Sequence, residues 1–291
     1  MLVKSKSLTH NHLRNCIASI LHSKNFEGNI RILDAGCGNG ELISYLYRAL
    51  AQDFPDLDFD IYGFDVIDHG VQSAGFANRT LSMLSDVVPH VNWSERIFFF
   101  RADEKWRFDE NFFDFIVSNQ VLEHVKKKIL FFENIYFCLK DGGHSFHLAP
   151  LLHVMQEGHI YLPFAHRINS YDLLFSYIKA CSRIGLGKFR AHRKMTGISL
   201  DEFTEKHADY MMFWTSYASQ SDTLDMAREA NLRCDFKFTR EFYLLKICQL
   251  LRIKQPLSYR INQSAFMNYI CIVVFRYLSS VTLNIKKSNV Y

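Results

Sequence analysis

One stretch near the amino terminus narrows the possible folds more than any other. A short apolar run, Asn29 to Leu33, leads into Asp34-Ala-Gly-Cys-Gly-Asn-Gly40, and Glu41 to Leu50 follows with apolar residues at helical spacing. A strand, a glycine-rich turn and a helix in that order form the first half of a strand–helix–strand crossover. The alternation then continues. Phe59 to Phe64, Ile97 to Arg101, Phe115 to Ser118 and His144 to Ala149 have strand composition, while the stretches around Gln72 to Leu84 and from Ile129 to Lys140 have helical periodicity. Asp141-Gly142-Gly143 is a turn between the last of these helices and its strand. Strands separated by helices must lie parallel, because each helix returns the chain to the end where it began, so the sequence predicts an α/β chain with a mostly parallel sheet covered on both faces.

The flanking segments differ in character. Residues 7 to 24 predict a helix, with Leu13, Cys16, Ile17, Ile20 and Leu21 three to four apart. Beyond Pro150 the pattern is mainly helical, over Tyr171 to Ala180, Leu200 to Ser219 and Thr223 to Ala230, and this part is expected to cover a pocket. Cys234 to Phe238 and Asn268 to Tyr277 read as two strands of an antiparallel edge hairpin, interrupted by an inserted segment 240 to 265. The resulting organisation is an N-terminal helix (1–28), a ligand-binding core (29–150), a helical cover meeting the acceptor (151–232), and C-terminal strands with an inserted basic helix (233–291).

With 291 residues, 48% of them hydrophobic, the chain can bury a substantial core without disulfides or metals. The seven cysteines are scattered and lack any C-x-x-C spacing, which fits a reducing cytoplasm. The first fifteen residues have no apolar run of signal-peptide length, since Thr9, His10, Asn11, His12 and Arg14 interrupt it. The longest apolar stretch, Ala265 to Ile285, contains Asn268 and Arg276 and is β-branched at its centre, so it reads as a strand and no membrane-spanning helix is expected. The net charge of +4 is unevenly placed: no acid lies between Asp172 and Asp201, and none after Glu241, while both stretches carry several Lys and Arg. That asymmetry points to an anionic partner or surface.

The chemistry begins at the glycine turn. Asp34-x-Gly36-x-Gly38-x-Gly40 lets the backbone approach a ligand closely, and the amides that open the following helix can face a carboxylate. A lone glycine turn is as often a plain tight connection. Asp65, ending the second strand in Tyr-Gly-Phe-Asp65, can accept both hydroxyl protons of a ribose, and Asp103, after the third strand in Arg-Ala-Asp103, can meet an adenine amino group. Each acid alone could equally be a solvated loop residue or a helix cap, but Asp34, Asp65 and Asp103 at successive strand ends form a set. The G-x-G-x-x-G of dinucleotide enzymes and a Walker lysine are both missing.

As an ordered series, LDAGCGNG, YGFD, RAD, FDFIVSNQVLEHV and LKDGG resemble the motifs of class I S-adenosylmethionine-dependent methyltransferases over residues 29 to 150. The resemblance implies a Rossmann-like α/β sandwich and S-adenosylmethionine as cofactor. It further implies that the methionine part lies on the glycine loop (Asp34, Gly36, Cys37, Gly38), the ribose on Asp65 beside Val66, and the adenine near Asp103, with Asn119 at the end of the fourth strand completing the set. YGFDVIDHGVQ and EGHIYLPFAHR are similar to methyltransferases associated with bacterial surface-polysaccharide biosynthesis.

A hydroxyl acceptor must lose its proton as it attacks, and histidine is the natural base near neutral pH. His147, His153, His159 and His166 follow the fifth strand, and each alone is more often a packed or surface residue. His159, beside Glu157 and Gly158, is the preferred catalytic candidate and His153 the second. Gln120-Val-Leu-Glu123-His124 resembles the Glu-x-x-Glu-His ligands of metal-assisted methyltransferases, but Gln120 removes one charge and no metal is assigned. The expected function is O-methylation of a hydroxyl on a glycan, lipid-linked sugar or related metabolite. Rival readings are a nucleic-acid methyltransferase using the basic stretch Lys179 to Lys194, for which the N-P-P-Tyr signature is missing at Ser118 to Val121, and a non-catalytic binding module. Nucleic acid is not an expected partner, and the sequence does not indicate an oligomeric state. Phe242 to Ile253 places Lys246, Gln249 and Arg252 on one narrow face, which suits either a core-packed helix with a wet stripe or peripheral contact with an anionic membrane.

Overall fold

The computed structural model describes residues 5–67 and 75–287. The glycine turn organises the sheet around it. β1 (Asn29–Ala35) pairs in parallel with β2 (Asp58–Val66) on one side and with β4 (Phe113–Asn119) on the other. β3 (Ile97–Phe100) adds to the outer edge of β2, and β5 (Leu139–Ala149) to the outer edge of β4, both in parallel. Two late strands complete the sheet. β7 (Val281–Lys287) runs antiparallel between β5 and β6 (Leu232–Asp235), giving the order β3-β2-β1-β4-β5-β7-β6.

Strand side chains alternate between faces with period two, so the sheet divides the interior into two layers. Ile32, Phe115, Val117, Phe146 and Leu148 face a cluster closed by α1 (Leu8–Leu21), α2 (Glu41–Asp53) and α3 (Phe76–Val87). Leu33, Ile116, Leu283 and Ile285 face the other layer, closed by α4 (Lys128–Cys138) and α8 (Gln220–Glu229). Burying each such side chain contributes roughly 1.5–3 kcal/mol. A separate, smaller cluster lies in the cover, where α5 (Tyr171–Arg183), α6 (Phe189–Thr196) and α7 (Leu200–Phe213) gather around Ile160, Leu174, Ile178, Phe189, Phe203 and Met211. Ser199 and Ser219 cap α7 and α8 with reciprocal capping boxes, which splits the single stretch Leu200 to Ser219 read from the sequence into a helix and a link.

The carboxy-terminal reading needs correction. Asn268 to Tyr277 does not form a strand: α10 (Ala265–Phe275) occupies it, with Ser264 as N-cap, and the edge strand lies further on at Val281–Lys287. The run Ile270-Cys-Ile-Val-Val274 is β-branched, but local propensity yields to the alternative strand, whose Leu283 and Ile285 complete the second core layer. β6 is also shorter than read, ending at Asp235, and α9 (Thr239–Leu250) and α10 are both inserted between the two edge strands. Asp141 to Gly143 remains a kink within β5, where the pairing with β4 jumps from Leu139 to His144. The start of the helix read at Gln72, and Asp68 to Gln72 of the YGFDVIDHGVQ resemblance, lie outside the described residues. Among the described residues no helix is long and apolar enough to cross a membrane.

Candidate active site

The parallel strands all end at one rim of the sheet, and there a cavity of about 530 Å³ opens. Its wall includes Gly36 after β1, Asp65 and Val66 at the end of β2, Asp103 after β3 and Asn119 at the end of β4. Gly36 adopts φ +82°, and a Cβ there would come within 2.5 Å of Val121 Cγ2, so the position demands glycine on both conformational and steric grounds. Gly36 and Cys37 both donate their N–H to Phe64 O, at 2.8 and 2.9 Å, tying the turn to β2. Asp65 secures the turn from the other side: its Oδ2 accepts from Gly38 N–H at 2.6 Å and its Oδ1 from Val66 N–H at 2.8 Å. Phe64, Phe100 and Trp106 form an apolar wall, with ring centroids 4.7–4.9 Å from Phe64 to the other two.

Asp34 and Cys37 are buried and do not line the cavity. Asp34 is buried, its Oδ1 has no hydrogen-bond partner, and burial together with the neighbouring Asp65 carboxylate pushes its carboxyl up to about 8. Cys37 packs over Gly63 of β2, where burial holds its thiol well above the usual range. Asn119 lines the cavity and has a buried Oδ1 without a partner. Asp103 is mostly exposed, with Arg101 Nε 3.8 Å from its Oδ1.

The opposite end of the cavity is built by the cover. His124, Tyr210 and Trp214 line it, and a buried network fixes them. Trp214 O accepts from His124 Nδ1 at 2.9 Å, which assigns the proton to Nδ1, and the Tyr210 hydroxyl lies 3.5 Å from Nε2. Lys128 Nζ donates to Ser216 O, to Ser216 Oγ at 3.0 Å and to Val125 O at 2.7 Å, latching the link after α7 to the rim. Next to His124 lies His159, its ring edge-on at 5.1 Å and 5.0 Å from Tyr210. His159 Nδ1–H donates to Glu157 Oε1, and the Tyr217 hydroxyl donates to the same oxygen at 2.9 Å. Glu157 Oε2 accepts the N–H of His159 and of Ile160, both at 2.8 Å. Burial alone would raise this carboxyl. The His159 hydrogen bond and charge together with the two amides prevail and hold it at about 2, so Glu157 is a buried carboxylate at any physiological pH.

Glu123 shows the opposite balance. It is buried, its Oε2 has no partner, and burial raises its carboxyl to about 7 against the opposing pull of its own amide, His159 and Lys128. From the ordinary 4.5 up to about 7 the folded chain therefore holds a proton that the unfolded chain has released, so stability falls as pH rises across that window and is flat above it. Glu123→Gln removes the ionisation while keeping the shape. Its stability should match wild type near pH 4.5 and exceed it by about 3 kcal/mol above pH 7, read from denaturant midpoints across pH. An offset independent of pH would contradict this account of Glu123.

Of the residues singled out from the sequence, the structure thus places Gly36, Asp65, Val66, Asp103 and Asn119 on one cavity and Gly38 in the same turn, and it buries Asp34 and Cys37 off the cavity wall. His159 stands one ring behind the wall with its side chain 27% exposed. His153 is placed elsewhere: it lies edge-on to Tyr277 at 5.9 Å, and burial with Arg276 and Arg167 lowers its basicity. His147 is wholly buried between Ser118 Oγ and Ser145 Oγ, pushed down to about 3 by burial, and His166 donates from Nε2 to Leu152 O. Gln120 turns its amide to Leu148 O and Ser280 Oγ, away from Glu123 and His124, and among the described residues no three His, Cys, Asp or Glu side chains are grouped to hold a metal ion. The sequence reading did not include Tyr210, Trp214 or Tyr217. Tyr210 and Trp214 are four residues apart at the end of α7, a spacing that in sequence looks the same as a buried helical face.

Comparison with known proteins places this geometry in a family. A search of curated proteins finds no match to the chain. Among solved structures it is similar to the Bacillus subtilis YcgJ protein (TM-score 0.47, 12% identity, 94% of this chain and 98% of the other). It is also similar to an S-adenosylmethionine-dependent methyltransferase from Mesorhizobium loti (0.47, 14%, 92% and 96%). A third similar structure is phosphoethanolamine N-methyltransferase 2 of Haemonchus contortus bound to S-adenosylmethionine (0.45, 14%), where 94% of this chain spans only 52% of the other. The family described as "Methyltransferase domain" matches residues 9–231. That match covers the glycine turn, both cavity acids and the cover, and the chain belongs to the class I S-adenosylmethionine-dependent methyltransferase family.

Proposed function

We propose that this chain transfers a methyl group from S-adenosylmethionine to a hydroxyl of a glycan, lipid-linked sugar or related metabolite, with the Glu157–His159 pair as general base. The observation that carries this reading is the buried, ionised Glu157 clamped on His159 Nδ1 next to the cavity wall.

The residues present suit the cofactor. A cavity of about 530 Å³ lies within the range of small-molecule sites. The buried, unpartnered Asn119 Oδ1 on the cavity is an acceptor in want of a donor, which an ammonium or hydroxyl group supplies. Asp65 and Val66 would hold the ribose edge, Asp103 and the Phe100–Trp106 wall the adenine, and the Gly36–Gly38 turn the amino-acid end. When bound, the cofactor supplies a methyl group already activated by a sulfonium.

What remains for the chain is positioning, exclusion of water and removal of one proton. Tyr210 and Trp214 provide an aromatic bed for an acceptor, and the Lys128–Ser216 latch keeps the cover closed over it. Glu157 fixes the His159 tautomer with the proton on Nδ1, so Nε2 presents its lone pair for the acceptor's hydroxyl proton, and the imidazolium that forms lies against a carboxylate. His124, which lines the cavity beside that base with the Tyr210 hydroxyl 3.5 Å from its Nε2, would help orient the hydroxyl.

The test is transfer of a labelled methyl group into a cell extract separated into glycan, lipid, protein and nucleic-acid fractions. Label in the glycan or lipid-linked sugar pool, absent with His159→Ala, is the expected result. Label confined to nucleic acid or protein would overturn the acceptor assignment.

A further inference from the structure

We infer that the surface formed by α9 and α10 docks the chain on an anionic lipid bilayer, with the apolar side chains entering the interface and the basic ones meeting phosphate headgroups. α9 has two apolar faces. Phe242 and Leu245 are buried in the core, and the Tyr243 ring stacks on Phe275 of α10 at 4.0 Å and 9°, which joins the two helices. On the outer face Leu244, Ile247 and Leu250 are exposed, Leu250 by 81%. The polar stripe that would keep a core-packed helix in water is therefore interrupted by aliphatic side chains.

α10 departs further from an ordinary surface helix. Phe266 is 70% exposed and Tyr269 64%, Ile270 is exposed too, and Ile272 is the helix's one buried residue. A helix apolar around its circumference is stable only when something covers it. At 11 residues it is about 16 Å long, roughly half of a bilayer's hydrocarbon core, so it can lie in the interface but cannot span it.

Charge decides what covers this surface. From Phe242 to Lys287 there is no acidic residue, and Arg252, Lys254 and Arg260 are exposed in the segment that joins α9 to α10. A second copy docked on the same face would set these cations against their own equivalents, whereas anionic lipids complement them. The position is also suggestive. α10 leads into Val281, which pairs with Ala149 at the carboxyl end of β5, the rim at which the cavity opens.

Flotation of the full chain with phosphatidylcholine vesicles, with and without phosphatidylglycerol, tests this. Binding is expected only with the anionic lipid, and it should weaken with salt. Arg252→Glu, Lys254→Glu and Arg260→Glu together should lower it roughly a hundredfold, and Phe266→Asp with Ile270→Asp should abolish it, both with unchanged circular dichroism and melting. Failure to float at low salt would overturn the assignment. So would self-association in sedimentation equilibrium that the same variants abolish, because it would give the face to a second copy.

Discussion

His159→Ala turns over about 10²–10⁴-fold more slowly than the wild-type chain while binding cofactor as tightly, because it removes the base and leaves the glycine turn and Asp65 untouched. Steady-state kinetics with the acceptor found in the transfer screen, beside cofactor titration, measures both quantities. Glu157→Gln gives a smaller loss in kcat. An amide oxygen at that position can still accept from His159 and Tyr217, but it offers no negative charge to the imidazolium, and the amide NH2 would face the His159 and Ile160 N–H groups that Oε2 now accepts. Since the Glu157 carboxyl is held at about 2, it stays ionised across any usable assay range and contributes no inflection of its own to the pH profile. Turnover of His159→Ala at the wild-type rate would transfer the role of base to His124, the imidazole on the cavity wall.

Asp65→Ala acts on the other half of the site. The carboxylate accepts from Gly38 N–H and Val66 N–H within the turn, and Asp65 lines the cavity where the ribose would lie. Its removal should weaken cofactor binding by about 1–3 kcal/mol, or roughly 5- to 150-fold in Kd, the range for charge-assisted hydrogen bonds. Asp65→Asn separates the contributions, since the amide retains an acceptor for Gly38 but loses the charge. Equal affinity in Asp65→Ala and wild type would mean that the carboxylate only shapes the turn.

The parallel half of the sheet was legible because it rests on two signals that tertiary context seldom overrides, short apolar runs alternating with stretches of helical period and a glycine-rich turn, which the structure seats at φ +82°. The carboxy-terminal third was harder to read. Ile270 to Val274 looks like a strand by composition, yet the strand belongs to Val281–Lys287, where pairing to both β5 and β6 is available, and nothing local in the sequence reports that competition. The cofactor end of the candidate site follows one segment of chain and could be named from it. The acceptor end cannot, because His124, His159, Tyr210, Trp214 and Tyr217 converge from three separate stretches, and an aromatic pair at i, i+4 or a buried glutamate has no distinguishing mark until the cover folds. Glu157 and His159 are partly an exception, since a carboxylate two residues from a histidine in a glycine loop is a local signal. Its partner Tyr217 lies 60 residues away.

The carboxyl rim of the sheet has to be a cradle for one S-adenosylmethionine molecule if the chain is to transfer its methyl group. Isothermal titration of the wild-type chain with that cofactor, run beside Asp65→Ala, tests this most directly. One site per chain, weakened in the variant by the margin given above, is the predicted result. No heat of binding in a folded wild-type chain, or binding that Asp65→Ala leaves unchanged together with Gly36→Ala and Asp103→Ala, would contradict it.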